Sequence, residues 1–148
     1  MNLQGKRALI TGGTRGIGAA VAIDFAKHGA DVVINSRGED EEAKATLAEL
    51  ESIGVSAELV AADVSDPAEC ERLVNDTVQR FGGLDVLVHS AGGPAPGTVE
   101  VVTPDDWRAA FDVHVHALYE LTRHALPHLR KNGEGAIIVV SSVAGIRG

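Results

Sequence analysis

Three glycines, Gly12, Gly16 and Gly18, follow the apolar run Arg7 to Thr11 at a TGxxxGxG spacing. They lead into apolar residues at Ile17, Val21 and Phe25, the recurrence of one helical face. A strand that turns through glycines into a helix is suited to holding an anion. The first glycine permits a tight turn, the next lets backbone approach a pyrophosphate, and the last lets helix pack close to strand. The free N–H groups at the helix start then receive the negative charge. Gly12, Thr14, Arg15, Gly16, Ile17 and Gly18 are therefore the candidate dinucleotide-binding residues of this turn. Gly18 is followed by Ala19 and Ala20 rather than Lys-Ser/Thr, so no lysine is placed to reach a terminal phosphate and nucleoside triphosphate hydrolysis is disfavoured.

About 18 to 20 residues past such a loop, an acidic side chain would accept hydrogen bonds from the adenosine ribose. Here the position is Ser36, followed by Arg37. A small neutral residue beside a guanidinium suits a 2′-phosphate, and Arg15 offers a second positive charge, so NADP(H) is expected over NAD(H). His124 and His128 are four apart, yet HALPH lacks the glutamate of HExxH and contains a proline, so no metal site is expected. Cys70, the single cysteine, cannot form an internal disulfide and nothing marks it as catalytic.

The elements that must position these residues alternate. Arg7 to Thr11 and Asp31 to Ser36 are strands flanking a helix that ends at Gly29, a βαβ unit with parallel pairing. Glu39 to Ile53 reads as a helix with Ala43, Leu47 and Leu50 on one face and Gly54 as its stop. Ser56 to Ala61 is a third strand, and Asp66-Pro67 caps a helix running to Phe81. Leu84 to Val88 is the fourth strand, followed by a long Gly/Pro-rich loop from Ser90 to Val102. Thr103-Pro104-Asp105-Asp106 opens a long helix through Trp107, Phe111 and Leu118 toward Leu129, which Pro127 should kink or end. Ala136 to Val140 is the fifth strand, and Ser141 to Gly148 starts another loop. Five strands alternating with four helices call for a doubly wound α/β sheet of the Rossmann type.

A chain of 148 residues fits one domain, spanning 1–148, and can bury about 68–70% of its unfolded surface. The composition, 45% hydrophobic and 23% charged, is that of a folded globular protein. A net charge of −8 argues against nucleic acid as partner, since phosphate neutralisation needs a basic face. The N-terminus has no apolar core before a cleavage site, and the run Ile17 to Ile23 is broken at Asp24. Secretion and membrane spanning are thus not expected, and a cytoplasmic location is.

With its TGxxxGxG loop and this order of elements, the whole chain resembles the short-chain dehydrogenase/reductase family. The resemblance implies strand order 3-2-1-4-5, with the cofactor beside the first strand. It implies hydride transfer between nicotinamide and a small carbonyl or alcohol substrate, and a homo-oligomer. Asp63 and Val64 stand where family members hold the adenine ring, and Asp63 is otherwise a turn residue before Pro67. His89-Ser90-Ala91-Gly92 stands where the family has Asn-Asn-Ala-Gly, so Ser90, Ala91 and Gly92 join the cofactor residues, while the sheet-bracing asparagine is replaced.

The family's catalytic group is an Asn, a Ser, a Tyr and a Lys. Ser142 occupies the serine position, and His114, within FDVHVHAL, the asparagine position. The Tyr and Lys should come about a dozen residues after the serine as YxxxK. The 148 residues contain no such pair, and these residues alone are expected to lack turnover. Tyr119 and Arg123 do not replace it, because they precede the serine and arginine is a poor partner for tuning a tyrosine; Tyr119 is an interface or packing residue. Two rival readings are a catalytically inert dinucleotide- or partner-binding domain and a methyltransferase on a related sheet, the latter disfavoured by the loop spacing and by Ser142.

Overall fold

The computed structural model describes residues 2–93, 97–131 and 133–145. Five strands, β1 (Arg7–Thr11), β2 (Asp31–Ser36), β3 (Ala57–Ala61), β4 (Val86–His89) and β5 (Ala136–Val139), pair in parallel in the order β3-β2-β1-β4-β5. The register sets Ile10 beside Ile34 and Val88, and Leu9 beside Val33 and Leu87. Because side chains alternate across a strand, these two rows face opposite sides of the sheet, and each is covered by helices. The Ile10 row packs with Ala22, Phe25 and Ala26 of α1 (Gly16–Lys27) and Leu50 of α2 (Glu41–Ile53). The Leu9 row packs with Leu73 and Val74 of α3 (Pro67–Phe81) and with Leu121, Ala125 and Leu129 of α5 (Ala117–Lys131).

Several details differ from the sequence expectations. On α1 the buried face is Ala19, Ala22, Phe25 and Ala26; Ile17 is 62% exposed. Small residues let α1 lie close to the sheet, and the helix start stays outside the core. The second helix begins at Glu41 because the Asp40 side chain accepts the Ala43 N–H at 2.9 Å and caps it. The long helix is α4 (Pro104–Phe111), a π-helical turn (Asp112–His116) and α5, and it runs through Pro127 to Lys131. Proline removes one N–H, but Leu121, Ala125 and Leu129 hold both sides of it in the core, and that burial outweighs the break. After β5, Val143–Gly145 forms a short 3-10 turn rather than plain loop. Residues 94–96 of the Gly/Pro-rich loop and 146–148 of the terminal loop lie outside the described residues.

The apolar side chains of β5 are uncovered, with Ile137, Ile138 and Val139 38%, 43% and 47% exposed. Among the described residues no helix is long and apolar enough to cross a membrane.

A cleft at the carboxyl ends of the strands

β1 lies between β2 and β4, so successive crossovers leave it in opposite directions and a crevice opens above its carboxyl end. The crevice is a cleft of about 930 Å³, continuous through Ser90–Gly93, His114 and Val140 with a second recess of about 500 Å³. Gly12, Thr14, Arg15, Ile17, Ser36 and Arg37 line the first part, as do Asp63 and Val64. Ser90, Ala91, Gly92 and His114 line both, and Ser142 lines only the recess. Gly16 and Gly18 do not line the cleft; they shape it.

Gly18 is pressed against the loop, where a Cβ would meet the Gly12 carbonyl oxygen at 2.1 Å. Gly12, at φ +61°, abuts Ala91 so closely that a Cβ would lie 2.8 Å from its Cα and N. These approaches bring the glycine turn against the end of β4. Helices α2, α3 and α4 each carry a side-chain N-cap, whereas α1 begins at Arg15 with none. The α1 start thus has no side-chain acceptor of its own, and with the glycine cradle it fits a pyrophosphate.

At the far end of β2, Ser36 donates to the Gly38 carbonyl, and no carboxylate occupies its position. Arg37 forms no ion pair among the described residues, whereas Arg15 is engaged by Asp40 and by Glu42, the latter at 2.9 Å. Asp63 accepts from the Ser65 hydroxyl at 2.7 Å and from its N–H at 3.0 Å. These bonds, with the Arg37 charge, hold its carboxyl below the ordinary range, so Asp63 serves the turn and lines the cleft at once.

His89, at the end of β4, stands at the position where the family resemblance expects an asparagine. Its ring is 3% exposed, with Nε2 3.1 Å from the Val113 carbonyl and Nδ1 2.9 Å from the Thr11 hydroxyl. The carbonyl can only accept, so Nε2 carries the proton and Nδ1 accepts from Thr11, whose oxygen receives the Ala91 N–H at 3.2 Å. An imidazole thereby offers one donor and one acceptor, as an amide would, and ties β1, β4 and the π-helical turn together. His114, the next residue in that turn, reaches the Gly93 carbonyl with Nε2 at 3.0 Å. Ser142 Oγ accepts the Ala144 N–H at 3.2 Å and sits across the recess. The sequence reading passed over Asn35, which is buried and donates to the Val60 and Ala62 carbonyls at 3.0 and 3.1 Å, holding the β3 end at the cleft. A polar residue at an inward position of an apolar parallel strand was its signal.

Elsewhere, Cys70 is buried with its thiol against the Val64 carbonyl, and burial pushes its pKa up to about 11. His124 lies beside Glu120 and accepts from Arg123, and Tyr119 is 63% exposed rather than packed.

The family profile described as short chain dehydrogenase matches residues 6–148. Versicolorin reductase of Emericella nidulans is 38% identical over 146 residues, which are 99% of this chain and 55% of that protein. A short chain dehydrogenase from Burkholderia cenocepacia, solved in complex with NADP, superposes with a TM-score of 0.93 at 40% identity, covering 99% of this chain and 59% of that one. An NADH-dependent reductase complexed with NAD gives 0.92 at 37% identity, covering 99% and 62%. The chain spans a little over half the length of these relatives. With the family profile covering nearly all of it, and the sheet order and glycine turn in place, this chain belongs to the short-chain dehydrogenase/reductase family of oxidoreductases.

Proposed function

We propose that this chain supplies the NADP(H) site of a dehydrogenase/reductase acting on a small carbonyl or alcohol. The observation that carries the reading is the pair at the end of β2: Ser36 offers no carboxylate to repel a 2′-phosphate, and Arg37 stands beside it without an ion pair among the described residues. Relatives of similar identity were solved with NADP and with NAD, so the choice rests on these residues rather than on overall likeness. The bound cofactor would supply or take up the hydride. The chain's own residues would hold it, with the Gly12–Gly18 turn at the pyrophosphate, Asp63 and Val64 at the adenine, and Ser90, Ala91 and Gly92 allowing close approach.

His114 and Ser142 flank the recess where a substrate oxygen would sit. In the neutral ring, Nε2 donates to Gly93 and Nδ1 is left as an acceptor beside Gly92. The Tyr and Lys of the family's catalytic group are not among these 148 residues, so we expect them to bind cofactor without turning over substrate. The exposed Trp107, Phe111, Val115 and Tyr119 suit a face shared between two copies in a homo-oligomer, and the reading assigns the protein to the cytoplasm.

Calorimetric titration with NADPH and NADH, on wild type and Arg37→Ala, tests the cofactor reading. Wild type should favour NADPH by roughly tenfold or more, the worth of one charge-assisted contact, and the variant should lose most of that preference. Equal affinities in wild type would sink it.

A further inference from the structure

The two arginines at the ribose end of the cleft are not equally available. Arg15, at the N-cap of α1, is held by Asp40 and by Glu42 at 2.9 Å, whereas Arg37 has no ion pair among the described residues. Asp40 is itself the N-cap of α2 and lines the cleft, so its link to Arg15 runs from one helix start to the other across the cleft mouth. A second tie runs alongside, from the Thr46 hydroxyl on α2 to the Thr14 carbonyl at 2.8 Å. The Ala43 N–H, which an incoming anion would otherwise find at the α2 start, is already taken by Asp40 at 2.9 Å.

A 2′-phosphate arriving here meets two carboxylates before it meets a free Arg15. Either the arginine exchanges its partners or the phosphate stays beside like charges, and both weaken its binding. A 2′-hydroxyl meets no such opposition and can donate to a carboxylate.

We propose that Asp40 and Glu42 are specificity-determining residues that compete with the cofactor's 2′-phosphate for Arg15, so that preference for NADP(H) rests on Arg37 and is smaller than two arginines would produce. The inference rests on the cofactor reading of the cleft given above. Asp40 and Glu42 act through the charge of Arg15, and their removal frees a second guanidinium for the phosphate.

The test uses two probes without nicotinamide, adenosine 2′,5′-bisphosphate and 5′-AMP, titrated calorimetrically into wild type, Arg37→Ala, Asp40→Asn/Glu42→Gln, and the same double substitution combined with Arg15→Ala. Asparagine retains the helix cap, and circular dichroism verifies that α2 is intact. The double variant should bind the bisphosphate about three- to tenfold more tightly, the range for a charge-assisted contact at an exposed site, and 5′-AMP within about twofold of wild type. The gain should vanish when Arg15 is also replaced, and should shrink at high salt. A double variant with unchanged bisphosphate affinity, or a gain that survives loss of Arg15, overturns the inference while leaving the Arg37 reading intact. Failure of the bisphosphate to bind wild type more tightly than 5′-AMP, with no effect of Arg37→Ala, overturns both.

Discussion

The hydroxyl of Thr11 and Nδ1 of His89 lie 2.9 Å apart at the carboxyl ends of β1 and β4, both residues buried, on neighbouring strands paired in register. In the neutral ring Nε2–H is donated to the Val113 carbonyl at 3.1 Å, and Nδ1 accepts from the Thr11 hydroxyl. Burial lowers the His89 pKa below the ordinary 6.5, the Val113 bond opposing it in part. With the folded value below the unfolded one, the unfolded chain takes up the proton first. The neutral ring's contribution is therefore complete above about pH 6.5 and is lost as pH falls toward the folded value. Urea unfolding at several pH values should show this decline in wild type and a smaller one in His89→Asn, whose amide can make both bonds. His89→Leu strands the Thr11 hydroxyl and the Val113 carbonyl and should destabilise by about 1–3 kcal/mol.

Gly92 and His114 form a matched pair. A Cβ at Gly92 would lie 2.4 Å from His114 Cε1 and 2.8 Å from its Nδ1, so alanine there must push the ring away from the Gly93 carbonyl. Gly92→Ala should cost about 0.5–1.5 kcal/mol, the net worth of the broken bond, and should add little further loss in a His114→Ala background, where that bond is already gone. Thermal unfolding of the four proteins in this cycle measures the coupling, and strictly additive effects would contradict the contact.

Two glycines of the turn should fail for different reasons. Gly18→Ala drives a methyl into the Gly12 carbonyl, which is backbone and cannot step aside, so the turn must distort. We expect a loss of about 1–3 kcal/mol in stability and of cofactor binding with it. At Gly16 a Cβ meets nothing within 4 Å, but φ is +55°. Gly16→Ala should cost about 1–2 kcal/mol from the left-handed backbone alone. The measurements are denaturant melts and NADPH titration; equal loss of binding in both variants would argue against steric closure at Gly18.

The uncovered β5 and the helical stripe of Trp107, Phe111, Val115 and Tyr119 should make this chain self-associate. Light scattering across a dilution series should show mass above that of the monomer. Ile138→Lys should suppress association through the strand, and Tyr119→Glu association through the helix, so the pair of variants tells which face dominates. A monomer at every concentration would refute the expectation.

The strands and the glycine turn were legible because they depend on local chemistry, whereas the order of the strands came only from the family resemblance. Apolar β-branched runs mark buried parallel strands, and glycines mark turns that L side chains cannot make. The caps at Asp66 and Thr103 and the stop at Gly54 were read for the same reason, since a helix end is decided within a few residues of itself. What the tertiary structure alone decided are relationships across the sheet. His89 was visible as a substitution, but only the meeting of β1, β4 and the π-helical turn shows that its ring can serve as donor on one side and acceptor on the other. Arg15 and Asp40 stand 25 positions apart, and nothing local predicts that the cation expected to face a phosphate is held by the cap of the next helix. Pro127 was read as a break because propensity is local, and it is overridden by the burial of Leu121, Ala125 and Leu129, which only the packed fold creates.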